Sequence, residues 1–221
     1  LSGEQRAVTW VSGDPAASRA IGWAIAADCG HEAALLTAGD WSGHESGRSR
    51  FAAEFLRRMR AAEQAGIRLT TLIAPDGAPR EHFELLVRQG ISAIRSDRAL
   101  ETNVRNRGTA GGITSLRYGL WQITSAMRWA GGGWLADQLA ARRICRAIDR
   151  AIAIGTAIHL VIDAPQLAMR PRGQFNGLSR ILRHIERRER ECLQVATIGE
   201  MVARLSIPRT VRSAQSVLRA A

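Results

Sequence analysis

The chain contains no lysine: all 31 of its basic side chains are arginine. Against 20 acidic residues they leave a formal charge of +11. A nucleic-acid site is normally a clustered basic stripe interleaved with aromatic residues or glycine. Here the arginines are spread along helix faces, and Arg57-Arg58 and Arg187-Arg188 are the densest pairs. Solvated helix surface is their expected role, and no clear nucleic-acid site emerges. Cysteine is equally sparse. Cys29, Cys145 and Cys192 are odd in number and form no C-x-x-C pair, which excludes a zinc knuckle and a disulfide framework. Free thiols, and with them a cytoplasmic location, are expected. No apolar run approaches the ~18 residues of a membrane span. The chain opens Leu-Ser-Gly-Glu with no initiator Met and no charged-then-apolar leader, so a fragment or the body of a longer protein is expected. The glycine-rich loops of nucleotide folds, G-x-G-x-x-G and G-x-x-x-x-G-K-[ST], do not occur.

What is present is a hydrophobic content of 46%, enough to build a real core. Arg6 to Ser12 is β-branched and aromatic and reads as a strand. Asp14 and Pro15 then suit the N-cap and first position of a helix reaching about Ala27. Glu32 to Thr37 is the next strand. Ser49 can cap a long helix whose Phe51, Phe55, Leu56, Met59 and Ala62 share one face, and Gly66 ends it. Ile67 to Ile73 is a strand, Pro75-Asp76-Gly77 a turn, the stretch from Phe83 to Gly90 a helix, and Ile91 to Ile94 a strand. This alternation predicts a parallel sheet covered by helices.

Asp97 to Ser115 reads as a long loop, Leu116 to Ile123 as a strand, and Gly131 to Gly133 as a hinge. A helix from Trp134 to about Ile154 leads to a buried strand, Ala157 to Asp163. A helix with Leu178, Ile181, Leu182 and Ile185 on one face follows. Leu193 to Ile198 reads as the last strand, and Glu200 to Leu205 as a short helix. About six or seven strands are too few for a full eight-fold barrel. The expected fold is α/β, an incomplete or deformed (β/α) barrel over residues 1–205, with an Arg-rich tail or helix at 206–221.

In such folds the sites lie at the carboxyl ends of the strands. That rule singles out Thr37 to His44, Ala74 to Gly77, Ser96-Asp97 and Asp163. Asp40, Trp41 and His44 stand together in a loop rich in small and polar residues, where a Trp beside polar groups suits a sugar platform. Asp76 is a turn residue first, because Asp-Gly is favoured there for backbone reasons. Asp163, at the end of an apolar strand, is the best single ionisable candidate, since a carboxylate there must be paired or solvated in a cleft. Asp97 ends another strand and can pair with Arg95 or Arg98. His31 and His159 are expected to be hydrogen-bonded structural histidines.

Five segments are similar to the polysaccharide deacetylase (NodB-like carbohydrate esterase) superfamily, whose members are deformed (β/α) barrels. AVTWVSG resembles an "ATFFV.G" strand, and GHEAALLTAGD resembles "GHEIASHTxSH". FAAEFLRRMRAAEQAGI with APDG resembles the helix leading to "RxPYG", and LLVRQGISAIRSD the "elGyravxxD" unit. HLVID and the segment from Gly177 to Leu205 resemble the closing strand and its final helix. The resemblance implies a metal, commonly zinc, held by one Asp and two His, with a second Asp as general base and a late His as general acid. Gly30, His31, Glu32, Thr37, Pro75 and Gly77 match. The first ligand His falls on Leu36, the second on Asp40, the motif Arg on Ile73, and the late His on Ile162 or Asp163. The strand carrying the base and third ligand is expected upstream of residue 1, or is absent.

An aliphatic side chain has no lone pair for a metal, so Leu36 denies the standard site. The leading expectation is therefore a deacetylase-like domain of carbohydrate metabolism that has lost its metal site and binds a saccharide or serves regulation. In that case no cofactor is expected. The alternative is an active hydrolase of C–N bonds other than peptide, with zinc or another divalent cation at a rearranged site of Asp40, His44 and Asp163. A third reading is an Arg-rich module that binds anionic polymer or a membrane surface through the tail from Arg209.

Overall fold

The computed structural model describes residues 8–19, 21–22, 30–37, 48–77, 79–96, 112–124, 126–129, 134–163 and 175–206. Among them, β1 (Thr9–Ser12), β2 (Glu32–Leu36), β3 (Leu69–Ile73), β4 (Ala93–Arg95), β5 (Ile113–Ser115) and β6 (Trp121–Ile123) form one sheet in the order β1-β2-β3-β4-β6-β5. All neighbours are parallel except β5 and β6. β7 (Ala126–Trp129) and β8 (His159–Ile162) form a separate parallel pair. The α/β class and the mainly parallel sheet are as expected. No pairing among the described residues closes the strands into a barrel.

Helix α1 (Arg48–Gln64) begins one residue ahead of the Ser49 cap and buries Phe51, Phe55 and Ala62. Together with Phe83 and Leu86 of α2 (Phe83–Arg88), these residues cover Leu35, Leu72 and Ile94 on one face of the six-stranded sheet. Phe55, Leu72 and Leu86 are fully buried, and each contributes roughly 2 kcal/mol through apolar area removed from water. Asp14 Oδ1 accepts from the Ala17 N–H at 3.3 Å, but residues 15–17 form a turn rather than the expected first turn of a helix. Helical residues begin at 19, and Ser18 Oγ accepts from the Ile21 N–H at 3.5 Å.

A second core joins β7, β8, α3 (Trp134–Ile154) and α4 (Asn176–Glu189) through Trp129, Ile144, Ile148 and Ile181. The two helices run side by side in the same direction, with Gln138 opposite Arg180 and Asp149 opposite His184 and Arg188. Gly177 permits the approach, since a Cβ there would lie 3.0 Å from the Asp137 carbonyl oxygen.

Several local expectations are corrected. Leu116 to Ile123 is not one strand: the chain turns at Arg117–Gly119, where Tyr118 has φ 61°, and β5 and β6 become a hairpin. β5 lies inside the stretch read as loop, and β7 lies where no element was expected. Three- and four-residue strands carry too little alternation to register. Leu193 to Ile198 is not a strand; the chain there is irregular and leads into α5 (Ile198–Ser206). β8 is half-buried rather than buried, with Ile162 exposed, because among the described residues β7 alone pairs with it. The Arg-rich tail and the Gly131 to Gly133 hinge lie outside the described residues.

On the other face of the sheet, the first turn of α5 is anchored on the Glu32 carboxylate. Glu32 Oε1 accepts from the Thr70 hydroxyl at 3.0 Å and from the Thr71 hydroxyl, while Oε2 accepts from Thr9 Oγ1 at 3.1 Å and from the Gly199 N–H at 2.8 Å. Thr9 Oγ1 in turn accepts from the Ile198 N–H at 3.1 Å. A negative charge at a helix N-terminus satisfies orphan N–H groups and complements the helix dipole. Thr197 and Glu200 add a reciprocal capping box at 3.2 and 2.9 Å. Gly199 is the residue that fits, because a Cβ there would lie 3.0 Å from Glu32 Oε1 and 3.1 Å from Thr70 Oγ1.

Glu32→Ala strands several donors and is expected to cost roughly 3 kcal/mol or more. Gly199→Ala forces overpacking and is expected to cost about 1–2 kcal/mol. Urea unfolding of the two variants checks both values, and an unchanged midpoint in Glu32→Ala would contradict the role assigned to this carboxylate.

Candidate functional site

The carboxyl ends of the parallel strands are tied to one another by backbone bonds that extend the sheet. Thr37 N–H donates to the Ile73 carbonyl at 2.8 Å and its hydroxyl to the same oxygen at 3.2 Å. Ala74 N–H donates to Arg95 O at 2.8 Å, and Ser96 N–H to Ile123 O at 3.0 Å. These bonds leave the strand ends closely registered and the side chains between them crowded.

Much of what fills that space is hydrocarbon, with the buried Arg95 at the end of β4 lying in register between Ile73 and Ile123. Leu36 packs against a cluster of Ala34, Ile73, Ala93 and Ile123 from four strands, with Ile198 and Val202 from α5. Leu36 and Ile73 are the positions onto which the resemblance carries a metal-ligand His and an active-site Arg. Leu36 offers no lone pair at the first ligand position, so the residue present there does not fit the metal that the resemblance implies, and Ile73 carries none of the charge of the motif Arg. Among the described residues, no group of three or more His, Cys, Asp or Glu side chains is placed to hold a metal ion.

Asp40, Trp41, His44 and Asp97 lie outside the described residues. Asp76 is exposed in the turn after β3, where Gly77 N–H closes back onto Ala74 O at 3.1 Å. This is the backbone role anticipated for it. Asp163 is half-buried immediately beyond β8. Asp76 and Asp163 thus follow strands of different sheets. His31 is structural, as expected: its Nδ1 accepts from Val8 N–H at 3.1 Å, and its ring meets Trp10 edge-on at 6.2 Å. His159 is half-buried within β8.

Two features escaped the sequence. One is His82, in the single turn of 3-10 helix that precedes α2, buried and stacked on Phe51 at 4.3 Å. Burial lowers its pKa, outweighing the Glu81 carboxylate, which raises it; Arg48 lowers it further. The other is a groove of about 810 Å³ between α3 and α4 whose walls include Arg142, Arg146, Arg180, Arg183 and Arg187. At its edge Asp149 bonds His184 at 3.0 Å and Arg188 at 2.8 Å. Desolvation works to raise the Asp149 pKa, but the Arg188 hydrogen bond and the His184 charge prevail and hold it below the ordinary carboxylate value.

The chain matches no protein-family model and no curated protein sequence.

An unfolded histidine titrates near 6.5. His82 titrates lower in the fold. Its neutral form therefore contributes stability that is complete above about pH 6.5 and is lost as pH falls through the folded value. Glu54, drawn down to about 2 chiefly by its hydrogen bond to Arg57, contributes above its ordinary value of 4.5 and loses that contribution as pH falls toward 2. Unfolding free energy measured from pH 7 to 5 is expected to decline in the parent chain and to decline less in His82→Gln. Equal slopes would remove His82 from the account.

Proposed function

We propose that this chain is a deacetylase-like domain that has kept a deformed (β/α) barrel framework, dispenses with the standard metal site, and binds an N-acetylated saccharide. The observation that carries the reading is the packing of Leu36 and Ile73 into one aliphatic cluster at the strand ends. Metal-assisted amide hydrolysis needs a Lewis acid there to polarise the carbonyl and generate hydroxide. Aliphatic carbon supplies neither a ligand nor a charge. The consecutive parallel order β1-β2-β3-β4 supports the barrel framework, since sequential strands that remain neighbours are what a (β/α) barrel requires.

In this reading, sugar recognition falls to Asp163 as a hydrogen-bond acceptor for sugar hydroxyls, with Asp40, Trp41, His44 and Asp76 as the further substrate-binding residues. A carboxylate-to-hydroxyl bond of this kind contributes roughly 1.5–3 kcal/mol.

Titration calorimetry of the full chain with N-acetylglucosamine oligomers tests this directly. Binding is expected to survive a chelator, to weaken about ten-fold or more in Asp163→Ala, and to proceed without release of acetate when zinc is added. Acetate release would replace this reading with that of an active C–N hydrolase. Absence of binding would remove the saccharide.

A further inference from the structure

The outward face of α3 combines two kinds of side chain that seldom share an exposed surface. Leu135, Leu139, Arg142, Arg146 and Arg150 fall at i, i+4, i+7, i+11 and i+15, which on a helix is one stripe about 22 Å long. All five are exposed, Leu135 at 67% and Leu139 at 64%. Arg143 flanks the stripe and is also exposed. None of these four arginines forms an ion pair with a described residue. The acidic residues of α3 are directed elsewhere: Asp137 is buried, and Asp149 is held by His184 and Arg188. Beside the stripe, α4 adds Arg180, Arg183 and Arg187 across the groove.

We propose that this face binds peripherally to an anionic lipid bilayer, with the leucines at the acyl boundary and the arginines on lipid phosphates. A single exposed leucine is ordinary. Two of them one turn apart, continuing into unpaired cations, make a surface that is apolar at one end and basic along the rest. A basic helix with an apolar flank lies in the membrane interface rather than across it. This agrees with the absence, among the described residues, of any helix long and apolar enough to span. Arginine stems are long enough to lie against the leucines while the guanidiniums reach phosphate. The groove between α3 and α4 gives headgroups a recess walled by guanidiniums from both helices. A soluble polyanion such as RNA would draw on the same cations. It would gain nothing from Leu135 and Leu139, however, and the stripe offers no aromatic ring for a base to stack on.

Co-flotation of the full chain with vesicles distinguishes these outcomes. The chain is expected to float with vesicles containing phosphatidylglycerol, to stay behind with phosphatidylcholine alone, and to be released by high salt. Arg142→Gln with Arg146→Gln is expected to weaken partitioning about five-fold per residue, and Leu135→Ala with Leu139→Ala by roughly ten-fold or more. All four positions are exposed, so circular dichroism should show both double variants folded. Three results would each overturn the proposal: no flotation with anionic vesicles, equal flotation with neutral ones, or flotation that either double variant leaves unchanged. Binding of heparin or RNA that the leucine variant leaves intact, in a chain that ignores vesicles, would assign the face to a soluble polyanion instead.

Discussion

The carboxylate of Glu32 joins three strands and one helix, and the placement of α5 on the sheet depends on it. It stands at the start of β2, between Thr9 of β1 and Thr70 and Thr71 of β3, and it receives the Gly199 N–H of α5. A partly buried negative charge costs free energy unless its lone pairs are filled. Here three hydroxyls and a backbone N–H fill them, and the positive end of the α5 dipole adds to the compensation. The consequence is positional. With its first turn fixed on Glu32, α5 must lie across β3 and β4, and Ile198 and Val202 are delivered onto the aliphatic cluster that contains Leu36.

That cluster governs how the functional question is posed. In a parallel α/β sheet, chemistry belongs at the carboxyl ends of the strands because loops and side chains converge there. In this chain the convergence is used for packing. Leu36, Ile73 and Ile123 interdigitate where ionisable groups would be needed for hydrolysis, and Thr37 turns its hydroxyl back onto the Ile73 carbonyl. Among the described ionisable groups, Arg95 is buried at the end of β4 and has no lone pair to give a metal, while the carboxylates Asp76 and Asp163 sit beyond the strands.

Much of the fold was legible in the sequence, for identifiable reasons. α1, α3 and α4 carry their apolar residues at helical spacing over three or more turns. β1, β2 and β3 are bounded by Asp-Pro, Gly or Pro-Asp-Gly signals. What did not show was either very short or assembled from distant parts. β7 is four residues with no turn marker ahead of it, and the residues from Leu193 resemble a strand because apolar content without periodicity does not distinguish a strand from an irregular approach to a helix. Glu32 was noticed only as part of a motif, because its Gly199 partner is 167 residues away. The arginines looked dispersed along the chain for the same reason. Arg142 and Arg187 become neighbours only when Gly177 lets α4 settle against α3.

The account stands or falls on whether the strand ends can hold a metal, and zinc stoichiometry of the full chain measures that most directly. Elemental analysis after incubation with excess zinc and removal of the unbound ion should give far less than one zinc per chain, with no proton release on titration, because Leu36 offers no lone pair at the ligand position. One zinc per chain, bound tightly enough to survive gel filtration, would contradict it.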